Sequence, residues 1–306
     1  MPARTSNKKP LPDLNNNPLV LLISINAIVF VILNFLYLVY FLSYENNEVV
    51  SGFFTQQILD WFQVPANADK LWNRPWVLFT YMFSHYSVWS LISNMLWLWA
   101  FGYILQDLTG NKKLIPIYIY GGFTGALIFV LSVNTIPVFA NKIALLMPLI
   151  GGGAAVMAVA VATTALAPDY RLFPFINGGI PLWVLTLIFV AIDFSLVASY
   201  GGGVALSHLA AAFIGFIYIR QLKKGNDWGE WIYSFANWFN DLFNPEKKRK
   251  NKENKLYYKT STAPYTKRPN ATQQKLDEIL DKINEGGLDA LSAEEKDFLE
   301  RFGKQE

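Results

Sequence analysis

The chain has 306 residues, 53% of them hydrophobic and 16% charged, with a net charge of +3 and no cysteine, and its mean hydropathy is +0.24. A soluble domain carries about a quarter charged positions, yet residues 18–219 hold thirteen charges, against four in 1–17 and thirty-two in 220–306. An ordinary water-exposed fold, a disordered chain and a secreted disulfide scaffold are excluded, and the small net charge does not argue for nucleic acid as a partner. What remains is a membrane protein with a water-soluble tail.

Charge-free stretches at 14–44, 75–106, 114–141, 143–168, 172–192 and 194–219 can each hold the ~20 apolar residues that cross a bilayer as a helix. Prolines mark several ends: Pro18 opens the first, Pro116 lies in the first turn of the third, Pro168 closes the fourth and Pro181 opens the fifth. The pattern predicts six helices at 18–43, 87–106, 114–134, 148–167, 181–199 and 203–221, behind a cytosolic tail at 1–17. The first is too long for a cleaved signal peptide, and no Ala-x-Ala-like site follows it. With six spans the termini share a side, and that side carries Arg4, Lys8, Lys9, Lys112, Lys113, Arg171, Arg220, Lys223 and Lys224 close to helix ends, against Lys70, Arg74 and Lys142 opposite. The bias places both termini in the cytoplasm.

The outer segment 44–86 is rich in aromatic residues (Phe53, Phe54, Trp61, Phe62, Trp72, Trp76), as a loop lying partly in the membrane interface would be. Past the last span, Trp228, Trp231, Ile232, Phe235, Trp238, Phe239 and Leu242 recur at three and four over 227–243, the pattern of an interfacial amphipathic helix or, on a competing reading, of a partner-binding one. A basic flexible linker is expected at 244–271. A helical hairpin follows at 272–306, with Leu276, Ile279, Leu280 and Ile283 on one stripe, a break at Gly286-Gly287 and a capping box at Ser292-x-x-Glu295.

Polar residues at membrane depth are costly and usually have a role. Here they are Asn26, Asn34, Asn94, Asp193 and His208, with His85 at the mouth of the second helix and Ser90 one turn before Asn94 on the same face. An intramembrane Asn is most simply an interhelical hydrogen bond. Asp193 is expected near the outer end of its helix, within reach of interfacial water and without a catalytic role. Gly151-Gly152-Gly153 with Ala154, Ala158 and Ala162, and Ala211 with Gly215, form small-residue ridges that let helices approach closely; on that reading His208 bonds to whatever lies across the seam. Two histidines and no cysteine imply no metal centre and no cofactor.

Taken in order, Arg74-Pro75-Trp76, Thr80-Tyr81-Met82-Phe83-Ser84-His85, Asn94-Met95-Leu96-Trp97-Leu98-Trp99, Phe101-Gly102, Leu149-Ile150-Gly151-Gly152-Gly153-Ala154 and Ser207-His208-Leu209 with Gly215 resemble the rhomboid family of intramembrane serine proteases, in its bacterial form. The resemblance implies an all-α, polytopic six-helix bundle over 18–221 in a bacterial plasma membrane, and the hairpin resembles a module appended to some bacterial members. It implies a serine at the top of the fourth helix, a histidine base on the sixth, and a His and an Asn on the second that stabilise the oxyanion. Carried across residue by residue, the base is His208, the oxyanion positions are Asn94 and Ser90, and the nucleophile position is Gly153, which has no side chain. Ser90 and Ser87 are the least implausible substitutes, ahead of Ser207, Ser132, Thr163 and Thr164. The expected function is therefore that of a pseudoprotease binding transmembrane segments of client proteins within the lipid bilayer. The alternative is an active rhomboid-type endopeptidase using another residue. A transporter is the weaker reading, because no internal repeat is evident.

Overall fold

The computed structural model describes residues 17–44, 47–141, 146–172, 179–243, 271–288 and 291–303. The N-terminal tail, Lys142 and most of the basic linker lie outside the described residues. In chain order the helices are α1 (Pro18–Ser43), α2 (Asn47–Gln57), α3 (Ala68–Trp72), α4 (Val77–Thr80), α5 (Val88–Thr109), α6 (Leu114–Thr135), α7 (Pro137–Ala140), α8 (Gly153–Leu166), α9 (Leu182–Tyr200), α10 (Gly202–Lys223) and α11 (Glu230–Phe243), then α12 (Ala271–Gly286) and α13 (Ala293–Gly303). A two-residue antiparallel pair, β1 (Arg171–Leu172) with β2 (Ile180–Pro181), joins α8 to α9. The molecule is an all-α polytopic membrane protein, and it divides into two compact units, Met1–Trp238 and Phe239–Glu306.

Sequence and local structure agree closely at the ends of α1. Pro18 takes the first helical position, where its missing N–H costs nothing, and the Asn17 side chain accepts from the Leu19 N–H at 2.9 Å. Of the six expected spans, α1, α5, α6 and α10 are long and apolar enough to cross a membrane by themselves. The fourth is shorter than its charge-free stretch suggested. Residues 149–152 are not helical, because Leu149 pairs with Val64 and Gly151 turns with φ +104°, so α8 starts at Gly153 and runs for 14 residues. At 1.5 Å per residue that is about 21 Å, well short of a ~30 Å hydrocarbon core.

This short helix is the centre of the bundle. α5, α6, α9 and α10 all pack on it, and Ala154 to Ala160 are buried without a break. The approach of α6, α8 and α10 depends on small residues. An ideal Cβ on Gly125 of α6 would lie 2.7 Å from the Ala154 Cβ, one on Gly121 would collide with Ala158, and one on Gly215 of α10 would run into the Ala158 carbonyl. The ridges on α8 and α10 were read from the sequence as small-residue repeats, and the pair on α6, Gly121 and Gly125, has the same four-residue spacing and completes the seam.

The outer segment folds onto the bundle through Val50, Phe54, Leu59, Val64, Val77, Tyr81 and Met82, all buried. Trp61, Trp72 and Trp76 stay exposed, with the Arg74 guanidinium over the Trp61 ring at 4.6 Å and 3.6 Å from Asp60. In the second unit the capping box forms reciprocally: the Glu295 N–H donates to Ser292 Oγ at 3.3 Å and the Ser292 N–H donates to Glu295 Oε2 at 2.9 Å.

Because the atom that a Gly215 side chain would meet is backbone, it cannot swing aside. Gly215→Ala is expected to lower the thermal midpoint of the protein in detergent, by an amount equivalent to about 1–3 kcal/mol of overpacking. The same substitution at Gly52, inside α2 and with a Cβ that would meet nothing within 4 Å, is the control and is expected to leave the midpoint unchanged or slightly raised, since Ala favours a helix over Gly by about 0.5–1 kcal/mol.

Candidate functional site

The site is built around the start of α8. The chain arrives as Leu149, which exchanges two backbone hydrogen bonds with Val64 (2.8 and 2.9 Å), and the Gly151 N–H then donates to the Tyr81 carbonyl at 3.0 Å. Gly151 is in the left-handed region, where glycine pays no Cβ penalty. An ideal Cβ on Gly152 would sit 2.7 Å from the Tyr118 hydroxyl and 3.0 Å from the Met82 carbonyl. The turn is therefore tight on both sides, and it delivers Gly153 as the first residue of α8.

His208 comes to the same point from α10. An ideal Cβ on Gly153 would lie 3.0 Å from both Cε1 and Nε2 of His208 and 3.7 Å from Asn94 Oδ1. A side chain at 153 would fit only with the ring moved by a few tenths of an ångström. On its other edge Nδ1 is 2.6 Å from Asp193 Oδ2, with the two side chains only 10% and 16% exposed. This corrects the sequence expectation for Asp193, which is not left to interfacial water but faces the histidine from the adjacent helix α9. It also corrects the expected partner of His208, found on α9 and not across the small-residue seam. A carboxylate at Nδ1 accepts the ring N–H there and leaves Nε2 as the acceptor edge. Sequence spacing alone could not link position 193 to 208, because the two sit on different helices.

Facing this pair is a second histidine. His85, in the loop before α5, puts Nε2 3.3 Å from the Gly152 backbone nitrogen and 3.3 Å from Asn94 Nδ2. Both of those groups are donors, so Nε2 is their acceptor and the ring proton is on Nδ1. Burial pulls the His85 pKa down to about 4, which keeps the ring neutral at physiological pH. Asn94 also donates to Ser90 Oγ at 3.4 Å. All four positions expected from sequence, Ser90, Asn94, Gly153 and His208, therefore converge, and His85 and Asp193 join them. Helical spacing finds residues that share one helix face, so it had no means of bringing in a ring from a loop.

The other candidate hydroxyls are engaged elsewhere or point away. Ser207 Oγ is directed at α6, 2.9 Å from where a Gly125 Cβ would be, and Ser132 donates to the Phe129 carbonyl. Thr163 bonds to Val159 and Phe101 carbonyls, and Thr164 to the Ala160 carbonyl and the Thr186 hydroxyl. Ser87 precedes α5 without capping it. Among the described residues no cluster of three or more His, Cys, Asp or Glu is placed to hold a metal ion. A cavity of about 780 Å³ lies apart from this constellation, in the outer segment between Gln56, Gln63, Asn67, Lys70, Arg74 and Pro148.

Fold and site together define a polytopic helical membrane protein with a histidine–carboxylate pair at the head of a buried, short central helix. The Rhomboid domain family matches residues 72–224, half the chain, and a family of unknown function, DUF6576, matches residues 263–305. The chain belongs to the rhomboid family. It is 30% identical over 158 residues to "Presenilin-associated rhomboid-like protein A, mitochondrial" of Danio rerio, an overlap that covers 50% of this chain and 38% of that protein.

Two outcomes follow from the geometry. Gly153→Ser, with the His208 ring yielding a few tenths of an ångström, is expected to gain labelling by a fluorophosphonate probe. His208→Ala should abolish that labelling, and Asp193→Asn should slow it, with about 10⁴-fold as the ceiling for neutralising a triad carboxylate. The second concerns acid. A histidine whose folded pKa of about 4 lies below the unfolded 6.5 contributes stability that is present above pH 6.5 and drains away as pH falls towards 4. The thermal midpoint of His85→Gln should therefore fall less than that of the parent protein across that window.

Proposed function

We propose that this rhomboid-family protein is a pseudoprotease, which binds transmembrane segments of client proteins in the bilayer without cutting them. The observation that carries the reading is at Gly153: the position facing the base has no hydroxyl, and the His208 ring lies against its backbone, 3.0 Å from an ideal Cβ. The opposite wall adds to it. The Gly152 N–H and the Asn94 amide, donors of the kind an oxyanion would need, are both turned onto His85 Nε2. Without a nucleophile, residual catalysis of about 10³–10⁴ over water is too little for amide hydrolysis to matter biologically. The unequal distribution of Lys and Arg between the two sides supports an orientation with both termini cytoplasmic.

An active endopeptidase is the second reading, and the Asp193–His208 pair is the observation in its favour, since a carboxylate-oriented imidazole is what a general base requires. Ser90, whose Oγ would lie 3.7 Å from a Cβ on Gly151, is the hydroxyl it would have to use. The unmodified protein in proteoliposomes is expected to photocrosslink to a transmembrane peptide, to leave that peptide intact, and to take no fluorophosphonate label. Cleavage that disappears with His208→Ala or Ser90→Ala would replace the pseudoprotease with the endopeptidase.

A further inference from the structure

The segment after α10 is held to the bundle by an ordered set of polar contacts. The Asp227 carboxylate pairs with Lys113, at the entrance to α6, and accepts from the Tyr218 hydroxyl of α10 and from the Gly229 N–H, both at 2.9 Å. Burial pushes this carboxyl up, but Lys113 and the two neutral donors outweigh it and hold it below the usual carboxylate range. The Tyr120 hydroxyl donates to the Trp228 carbonyl at 2.8 Å and accepts from Trp231 Nε1 at 2.6 Å, and the Tyr233 hydroxyl donates to the Asn111 carbonyl at 3.1 Å. Gly229 is buried so closely that an ideal Cβ would lie 2.6 Å from Pro116. The start of α11 is therefore fixed to the α5–α6 turn and to the adjoining ends of α6 and α10.

The helix has three sides. Gly229, just before the first helical residue, and Tyr233 face the bundle. Glu230 and Ser234 form an exposed polar side. Trp231, Phe235 and Trp238, spaced four and three apart and so on one face, stand 59%, 59% and 56% exposed, and Trp228, in the turn just before the helix, is 38% exposed. Large rings in such a row are unfavourable in water. Their height decides what covers them: the contacts above tie α11 to the ends of three helices long enough to cross the bilayer, which is the level of the lipid headgroups. Trp is favoured there, its ring apolar and its N–H polar, and Lys112, Arg220, Lys223 and Lys224 at the same end suit an anionic headgroup layer.

We propose that α11 lies in the headgroup layer of the leaflet that receives the α5–α6 turn, with Trp228, Trp231, Phe235 and Trp238 covered by acyl chains and Glu230 and Ser234 turned to water. The occupant of the aromatic face is lipid, and α11 acts as a fixed float that sets how deep the bundle sits at this end. The chain has no cysteine, so single labels have no background. Glu230→Cys, Ser234→Cys, Phe235→Cys and Trp238→Cys, all at exposed positions, would each carry a nitroxide in the full-length protein, reconstituted in mixed phosphatidylethanolamine–phosphatidylglycerol vesicles. The ratio of oxygen to nickel-chelate accessibility is expected to be severalfold higher at 235 and 238 than at 230 and 234. Equal nickel access at all four would put the helix in water and overturn the proposal. Protection of 235 and 238 from both reagents would overturn it too, in favour of a protein surface as the occupant.

Discussion

Everything at the site depends on how closely α6, α8 and α10 approach one another. In a bilayer the surrounding chains are as apolar as the side chains, so helices gain little by hiding from their solvent and associate through close packing and polar contacts. Gly121, Gly125 and Gly215 supply the surfaces on which Ala154 and Ala158 rest. With larger residues there, α8 would be displaced, and Gly153 and His208 would no longer meet. The same packing permits a central helix of only 14 residues: surrounded by four neighbours, its N-terminal end opens into protein and not into lipid.

At that end the polar groups divide into two halves. On one side an imidazole is oriented by a carboxylate, both nearly withdrawn from solvent, a pair that would be costly to bury singly and is tolerable together. On the other side a neutral imidazole accepts from a backbone N–H and an amide. The first half has an acceptor edge free at Nε2, while in the second the Gly152 N–H and the Asn94 amide are turned onto His85 Nε2 and the ring's own Nδ1 is buried without a hydrogen-bond partner. Between them is a residue without a side chain.

The fold was largely legible in the sequence because charge is so unfavourable at membrane depth that its absence marks the spans, and Asn17-Pro18 marks the start of α1 to the residue. The beginning of α8 was misplaced by five residues, because a charge-free stretch reports what can enter lipid and not what is hydrogen-bonded as helix; the pairing of Leu149 with Val64 is long-range and leaves no local trace. Ser90, Asn94, Gly153 and His208 could be named in advance through motif likeness. Asp193 and His85 could not be assigned to the site, since one reaches it from a neighbouring helix and the other from a loop, and neither route has a period. The ridge on α6 does have a period, Gly121 and Gly125 being four apart, and what the sequence does not contain is its pairing with α8.

The reciprocal bonds between Val64 and Leu149 have a mechanical consequence. They splice the outer segment to the residue four before Gly153, with the Gly151–Tyr81 bond as a second rivet. The segment is consequently no independent flap over the bundle. Its backbone is continuous by hydrogen bonds with the few peptide units that lead to the head of α8, so the position of the segment and that of Gly153 are set together.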